Sequence, residues 1–277
     1  MSMFSVALAS IALSGVSMQK PNFIPCVQAW TFNRFTAEQA ITMTKQAGSA
    51  AIELFPGQAL SKDHGDTKVG PEMGDEKTEV LKGFLAKTGV KAVAFGVTGI
   101  SKDPNEARKL FRWAKSMGIQ VINTESAEAI DTIELMVREF DIKVGFHDHP
   151  KRANDPSYRM WDPNYVLSLV KDRDKRIGGC ADTGHWVRSG LKPVDALKIL
   201  HGRVVSSHLK DLHVFDMSGH DVPFGQGVSN VRGILESFAK MGMSGPVSVE
   251  YEHNWDTNLA EVAQCVGFLR AFQTLKS

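Results

Sequence analysis

The sequence predicts a single α/β domain, a closed (β/α)8 TIM barrel, and three observations carry that reading. The chain has 277 residues, close to the length of about 250 typical of one such barrel. From Asn22 onward, strand-like and helix-like segments alternate with little interruption. No Gly-rich dinucleotide loop follows the first strand, which argues against a doubly wound open sheet. In chain order, the strand Phe23–Ala29 leads to the helix Ala37–Gln46, and Ala50–Leu54 leads to Glu76–Lys87. Lys91–Val97 then leads to Asn105–Ser116, Gln120–Asn123 to Glu128–Phe140, and Lys143–His147 to Pro163–Val170. The last three pairs are Ile177–Ala181 with Pro193–Leu200, Val204–His208 with Val231–Lys240, and Val247–Tyr251 with Asn258–Phe272. Gly48, Gly89, Gly118 and Gly242 stand just beyond the last periodic residues of four helices, where a left-handed C-cap is expected. Units of roughly 25–35 residues repeated in this way point to a closed parallel barrel rather than separate domains.

Composition narrows the function. Hydrophobic residues make up 43% and charged residues 23% of the chain, and 32 Lys+Arg face 31 Asp+Glu. So balanced a charge offers no general attraction to a polyanion, so no nucleic-acid partner is expected. Cys26, Cys180 and Cys265 are too widely spaced for a disulfide framework or a cysteine zinc site. Phe4 to Val16 is an apolar, small-residue run followed by polar Ser17 to Lys20. It resembles the core of an export signal but lacks basic residues ahead of it, so residues 1–20 read equally as a cleaved signal or as an arm before the barrel of residues 21–277. Localisation is then cytoplasmic or exported. The run is too short for a membrane span, and no membrane partner is expected.

Two longer insertions, Pro56–Asp75 and Leu212–Ser229, interrupt the rhythm after the second and seventh strands. Both would lie on the C-terminal face of the barrel, where loops build active sites. On that face, four segments close a strand with metal-ligating side chains: Phe146-His147-Asp148-His149, Ala181-Asp182-Thr183-Gly184-His185, Ser207-His208-Leu209-Lys210-Asp211 and Val249-Glu250-Tyr251-Glu252. Carboxylates and imidazoles gathered at neighbouring strand ends are what a divalent-metal site needs. Glu250 ends an apolar strand, where an unpaired carboxylate is costly to bury, so a cation is its natural partner.

The segments Ala51-Ile52-Glu53-Leu54, Cys180-Ala181-Asp182-Thr183-Gly184-His185, His208-Leu209-Lys210-Asp211 and Ser248-Val249-Glu250 resemble the xylose-isomerase-like barrel superfamily of sugar phosphate isomerases and epimerases. The resemblance covers almost everything after Pro21. It implies a divalent cation, manganese first, with cobalt and magnesium as alternatives, held by a carboxylate, an aspartate, a histidine and a glutamate on the last four barrel strands; a donor set containing two imidazoles adds zinc and iron. Carried over by motif, the last three fall on Asp182, His208 and Glu250. The first does not match, because the chain has His147-Asp148-His149 where the family has a glutamate. His147 and His149 are two residues apart and point to the same side of an extended strand, so either can reach the barrel mouth. With His147 as the fourth ligand, the family's paired-glutamate proton exchange is weakened, and one-sided chemistry such as isomerisation, dehydration or elimination gains weight.

The resemblance thus implies a metal-dependent isomerase or epimerase of a sugar, keto-sugar or polyol, in which the metal stabilises an enediolate. A lyase or dehydratase acting on an oxidised sugar or inosose is the alternative, followed by an apurinic endonuclease and a non-catalytic sugar-binding barrel. Glu250, His185 and Glu125 are the expected proton-exchanging groups, with Lys210 assisting at oxygen. Glu53, Trp30, His149, Trp186 and Arg188 are the expected substrate contacts, since aromatic faces pack on sugar rings and Arg grips anions. His64, His201, His213, His220 and His253 read as surface or loop residues. The expected partner is a small sugar or polyol, and a homo-oligomer remains open.

Overall fold

The computed structural model describes residues 21–275; the apolar run of residues 4–16 lies outside them. Eight strands close into one parallel barrel in the order β1-β10-β7-β6-β5-β4-β3-β2. These are β1 (Ile24–Gln28), β2 (Ala51–Leu54), β3 (Lys91–Phe95), β4 (Val121–Thr124), β5 (Lys143–His147), β6 (Ile177–Asp182), β7 (Val204–Leu209) and β10 (Pro246–Val249). The seam is the β1/β10 pair, in register from Ile24 opposite Pro246 to Val27 opposite Val249. Helices α1 (Ala37–Gln46), α2 (Gly74–Thr88), α3 (Pro104–Ser116), α4 (Ile130–Phe140), α5 (Pro163–Val170), α7 (Pro193–Ile199), α8 (Val231–Lys240) and α9 (Leu259–Leu275) follow their strands.

Local chemistry sets the helix ends. Thr36 forms a capping box with Gln39 at the start of α1. Asp103 and Asp162 accept the backbone N–H groups of Asn105 and Asn164 at 2.9 Å, each followed by a proline in the first helical turn. Gly48, Gly89, Gly118 and Gly242 all have positive φ, as their helix-ending positions require. The main core lies between strands and helices. On α3, Leu110, Phe111 and Trp113 turn inward, and the Trp113 ring meets Phe95 of β3 edge-on at 4.8 Å while its Nε1 donates to Thr78 on α2.

Inside the barrel the floor is polar. Asn123 donates to Glu53 Oε1 at 2.7 Å and accepts from Ser206 Oγ at 2.6 Å, and Ser248 Oγ donates to Glu53 Oε2 at 2.7 Å. Gly145 makes room for this network, because a Cβ there would lie 2.6 Å from the Asn123 side-chain oxygen.

Two elements are additional to the predicted alternation. The helix α6 (Thr183–Arg188) starts directly at the end of β6, with Asp182 serving as both last strand residue and N-cap through its 2.9 Å bond from His185 N. In the insertion after β7, β8 (Asp211–Leu212) and β9 (Asp221–Val222) form an antiparallel hairpin with Asp211 opposite Val222. Asp211 secures its far side by accepting from the backbone N–H groups of Gly225, Gly227 and Ser229.

Candidate metal centre

His147 ends β5, Asp182 ends β6, His208 is the penultimate residue of β7, and Glu250 directly follows β10. Parallel registry sets Asp182 beside His208 and His208 beside Ser248, so four adjacent strand ends deliver these side chains to one point. One ligand atom from each of the four lies within 4.8 Å of every other, and all four residues are buried.

The two imidazoles are held alike. His208 Nε2 is 2.9 Å from Glu53 Oε1, leaving a buried Nδ1 without a hydrogen-bond partner at 3.3 Å from Glu250 Oε2. His147 Nδ1 is 3.4 Å from Glu125 Oε1, leaving a buried, unpartnered Nε2 at 3.4 Å from Asp182 Oδ2. In each ring one nitrogen is tied to a carboxylate outside the cluster and the other faces inward, toward the cluster's own carboxylates. Such outer carboxylates fix the tautomer of a metal-ligating histidine and raise its basicity. Two imidazole nitrogens and two carboxylates therefore fit a divalent cation, and the mixed donor set suits Mn²⁺, Fe²⁺, Co²⁺ or Zn²⁺ better than Mg²⁺.

Burial dominates the electrostatics, and specific partners decide the sign. It opposes the charge on Glu250, but Lys210 and His208 outweigh it and hold that carboxyl down at about 2. Burial likewise disfavours a charged His147, but Asp182 and Glu125 carry it up to about 10, so metal binding at neutral pH must displace a proton there. His185 is pushed well below its usual value by burial, with Lys210 adding to the effect, and is neutral at pH 7. Arg188 lies 3.2 Å from His185 Nδ1. The other ring nitrogen, Nε2, lies 3.4 Å from Asp182 Oδ2 and 3.5 Å from Lys210 Nζ.

A cavity of about 320 Å³ opens beside the cluster. Trp30, Phe55 and Pro56 form its apolar wall, while His147, His149, His185, Glu250 and Glu252 form the polar one. The strand-five pair thus divides its labour: His147 is 2% exposed inside the cluster, whereas the His149 side chain is 45% exposed on the pocket wall.

Several residues singled out in the sequence lie elsewhere. Glu53 is not on the wall: it sits fully buried beneath His208, with its carboxylate saturated by Asn123, His208 and Ser248. Trp186 is among the largest fully buried core side chains, because its position on α6 turns it away from the pocket. Arg188 is committed to Gly219 O, Asp221 and Glu252, bracing the β8–β9 hairpin rather than facing substrate. Lys210 is also fully buried; its three donors face Asp182 at 2.7 Å, Glu250 at 2.5 Å and Glu252 at 3.1 Å. Glu125 stands behind the histidines, in contact with His147, with His149 Nδ1 and with Tyr158 Oη. His213, His220 and His253 stack at centroid spacings of 3.7 and 4.3 Å outside the ligand cluster.

Other site residues were given no role of their own in the sequence. Gln28, the last residue of β1, lines the cavity while donating to Gly96 O; its strand-end position was the available signal. Asp148 is 2% exposed and accepts from Asp182 N at 2.9 Å. Burial and the adjacent Asp182 raise its carboxyl well above the ordinary range. Asp221, deep in the long insertion, is raised to about 7 by burial.

Comparison with known proteins agrees with this architecture. The profile of the xylose isomerase-like TIM barrel family matches residues 41–272. A crystal structure of an uncharacterised protein from Parabacteroides distasonis is 27% identical, covers 90% of this chain and 99% of its own, and superposes with a TM-score of 0.71. D-allulose 3-epimerase from Methylomonas sp., solved with D-allulose, is 14% identical over 92% of this chain and 99% of its own, with a TM-score of 0.67. The IolI protein, solved with a zinc atom, is 16% identical over 92% of this chain and 99% of its own, with a TM-score of 0.62. No curated protein sequence matches the chain. The family match over most of the length, on a closed eight-stranded barrel with a His, Asp and Glu cluster able to hold a metal at the C-terminal strand ends, places this chain in the xylose isomerase-like TIM barrel family.

Proposed function

We propose that the protein is a divalent-metal-dependent isomerase or epimerase of a sugar, keto-sugar or polyol. The observation that carries this reading is the pair of buried, unpartnered imidazole nitrogens, His147 Nε2 and His208 Nδ1, facing Asp182 and Glu250 in one cluster beside a sugar-sized cavity. His147, Asp182, His208 and Glu250 would hold the ion, with Mn²⁺ first among the metals the donors suit. When bound, a divalent cation there polarises a substrate carbonyl and stabilises the negative charge that develops as a neighbouring C–H is deprotonated. Glu250 lines the cavity as an ionised carboxylate and is the group placed to take that proton. His185, which is neutral, and the exposed His149 on the same wall are placed to relay the proton and assist at substrate oxygen. Trp30 and Phe55 provide the apolar face on which a sugar ring packs. Lys210 holds Asp182, Glu250 and Glu252 in place and offsets their charge.

A second reading, elimination from an oxidised sugar or inosose, is favoured by one observation. The strand-five ligand is an imidazole, so Glu250 is the one carboxylate of the cluster that lines the cavity. Glu252, the other carboxylate on the wall, is committed to Lys210 and Arg188, so a single ligand carboxylate is left to serve one face of the substrate, which suits isomerisation or elimination better than symmetric epimerisation.

Turnover in D₂O tests the proposal. Deuterium should enter the carbon beside the carbonyl, and recovery of an isomer or of a dehydrated product separates the two readings. Glu250→Gln should lose both metal and exchange, whereas His185→Gln should keep metal but slow exchange by about 10²–10⁴-fold. An active enzyme that incorporates no deuterium would refute proton abstraction.

A further inference from the structure

A second cavity adjoins the metal pocket. With a volume of about 690 Å³ it is the larger of the two, and Trp30 and Phe55 line both. It runs between the segment after β1 and the insertion after β2, and is closed at one side by Trp255. The Trp30 ring, 41% exposed, meets Phe55 edge-on at 5.2 Å and Trp255 at 6.4 Å, so the partition between the cavities is aromatic.

Charge separates the two spaces. The metal pocket is lined by two carboxylates and three imidazoles but by no lysine or arginine. The groove is lined by Arg34, Lys62 and Lys68 and by no carboxylate. Among the described residues, none of these three cations has an ion-pair or hydrogen-bond partner, in contrast to the many paired lysines and arginines elsewhere on the surface. The walls are tied together without a ligand. Ala37 N donates to Ala59 O at 2.8 Å, Glu38 N donates to Leu60 O at 3.1 Å, and the buried Gln58 amide donates to Phe32 O and Phe35 O. A preformed groove of this kind imposes little ordering cost on a ligand.

We propose that this groove is a distal subsite, and that the substrate is an acidic disaccharide or glycoside. One ring sits at the metal, and the second unit crosses Trp30 into the groove, where its carboxylate, sulfate or phosphate meets Arg34, Lys62 and Lys68. The inference rests on the reading of the metal pocket as a sugar site and extends it to a substrate longer than one ring. The dimensions agree: the metal pocket is near the small end of ligand sites, about 300 Å³, and the groove offers more than twice its 320 Å³. Anions paired with exposed cations gain modestly and are screened by salt.

Calorimetric titration of the metal-loaded protein tests this with three probes: neutral cellobiose, cellobiouronic acid, and cellobiose carrying a sulfate on its non-reducing ring. At low salt, at least one acidic probe should bind about tenfold more tightly than cellobiose, and the pattern between the two identifies the anion. The preference should shrink in about 0.5 M NaCl. It should vanish in the Arg34→Ala/Lys62→Ala/Lys68→Ala variant, whose substituted residues are all exposed and whose cellobiose affinity should be unchanged. Equal binding of neutral and acidic probes, a preference that survives the triple substitution, or no binding of any probe would overturn the subsite. None of those outcomes bears on the metal pocket, which stands or falls on metal content and deuterium exchange.

Discussion

Glu53 is the residue whose role the structure changes most, and its substitution gives the sharpest test of how the centre is held. Its carboxylate is fully buried and accepts three hydrogen bonds, from Asn123 at 2.7 Å, His208 at 2.9 Å and Ser248 at 2.7 Å. Glu53→Gln preserves the shape and leaves one oxygen for Asn123 and His208. The new amide can face Ser248, whose hydroxyl rotates to accept. What disappears is charge assistance at His208, the difference between about 1.5–3 kcal/mol for a bond to an ion and about 0.5–1.5 kcal/mol for a neutral one. Since 1.4 kcal/mol is tenfold, metal affinity should fall by about 10-fold, and up to 100-fold as His208 also loses basicity. Glu53→Ala is harsher. It leaves the His208 N–H and the Asn123 amide buried without acceptors, at about 1–3 kcal/mol each, so the fold should lose about 2–6 kcal/mol. Chelator competition reads the first effect and urea unfolding the second. Wild-type metal affinity in Glu53→Gln, or equal stability of the two variants, would refute this account of how His208 is oriented.

Three further outcomes follow from the site. The wild type should carry close to one divalent ion per chain by elemental analysis, and Asp182→Asn should lose it, because a ligand oxygen facing His147 Nε2 at 3.4 Å becomes an amide. His185→Gln should retain the ion, since His185 lies outside the four-residue cluster, while proton exchange in D₂O falls by about 10²–10⁴-fold. Asp221 makes a pH prediction: burial raises its carboxyl from 3.8 to about 7, so the folded protein binds this proton more tightly than the unfolded chain. That contribution is complete below about pH 4 and is lost as pH rises through about 7, an upper bound of about 4 kcal/mol. Across that window Asp221→Asn should gain stability relative to wild type, measured as the difference in urea midpoints; a constant difference from pH 4 to 8 would exclude the raised carboxyl.

The barrel itself was legible from local pattern. Apolar runs such as Lys143–His147, followed by helices stopped by a glycine or started by a proline, state their own secondary structure, because burial periodicity and capping act within a few residues. The metal-ligating types could be listed for the same reason: a parallel barrel brings all its strand ends to one face, so His147, Asp182, His208 and Glu250 needed only their strand positions to be grouped. The short pieces α6 and β8–β9 fall below the length at which periodicity speaks, and a capping bond at Asp182 and the hydrogen bonds to Asp211 define them instead.

The division of labour among the chemical residues was a different matter. Glu53 and Glu250 both follow apolar strand residues, but one lies on the barrel floor under three donors and the other lines the cavity. Lys210 and Arg188 read in the sequence as groups acting on the substrate, and the fold encloses both among carboxylates contributed by distant segments. Contacts such as Glu53 with Ser248, 195 positions apart, are set by barrel closure. Sequence by itself determined which groups reach the open end of the barrel, because strand direction and side-chain alternation are local. Only the tertiary structure decided which of them face the cavity and which hold the others in place, because that depends on depth along the barrel axis and on partners that closure alone brings together.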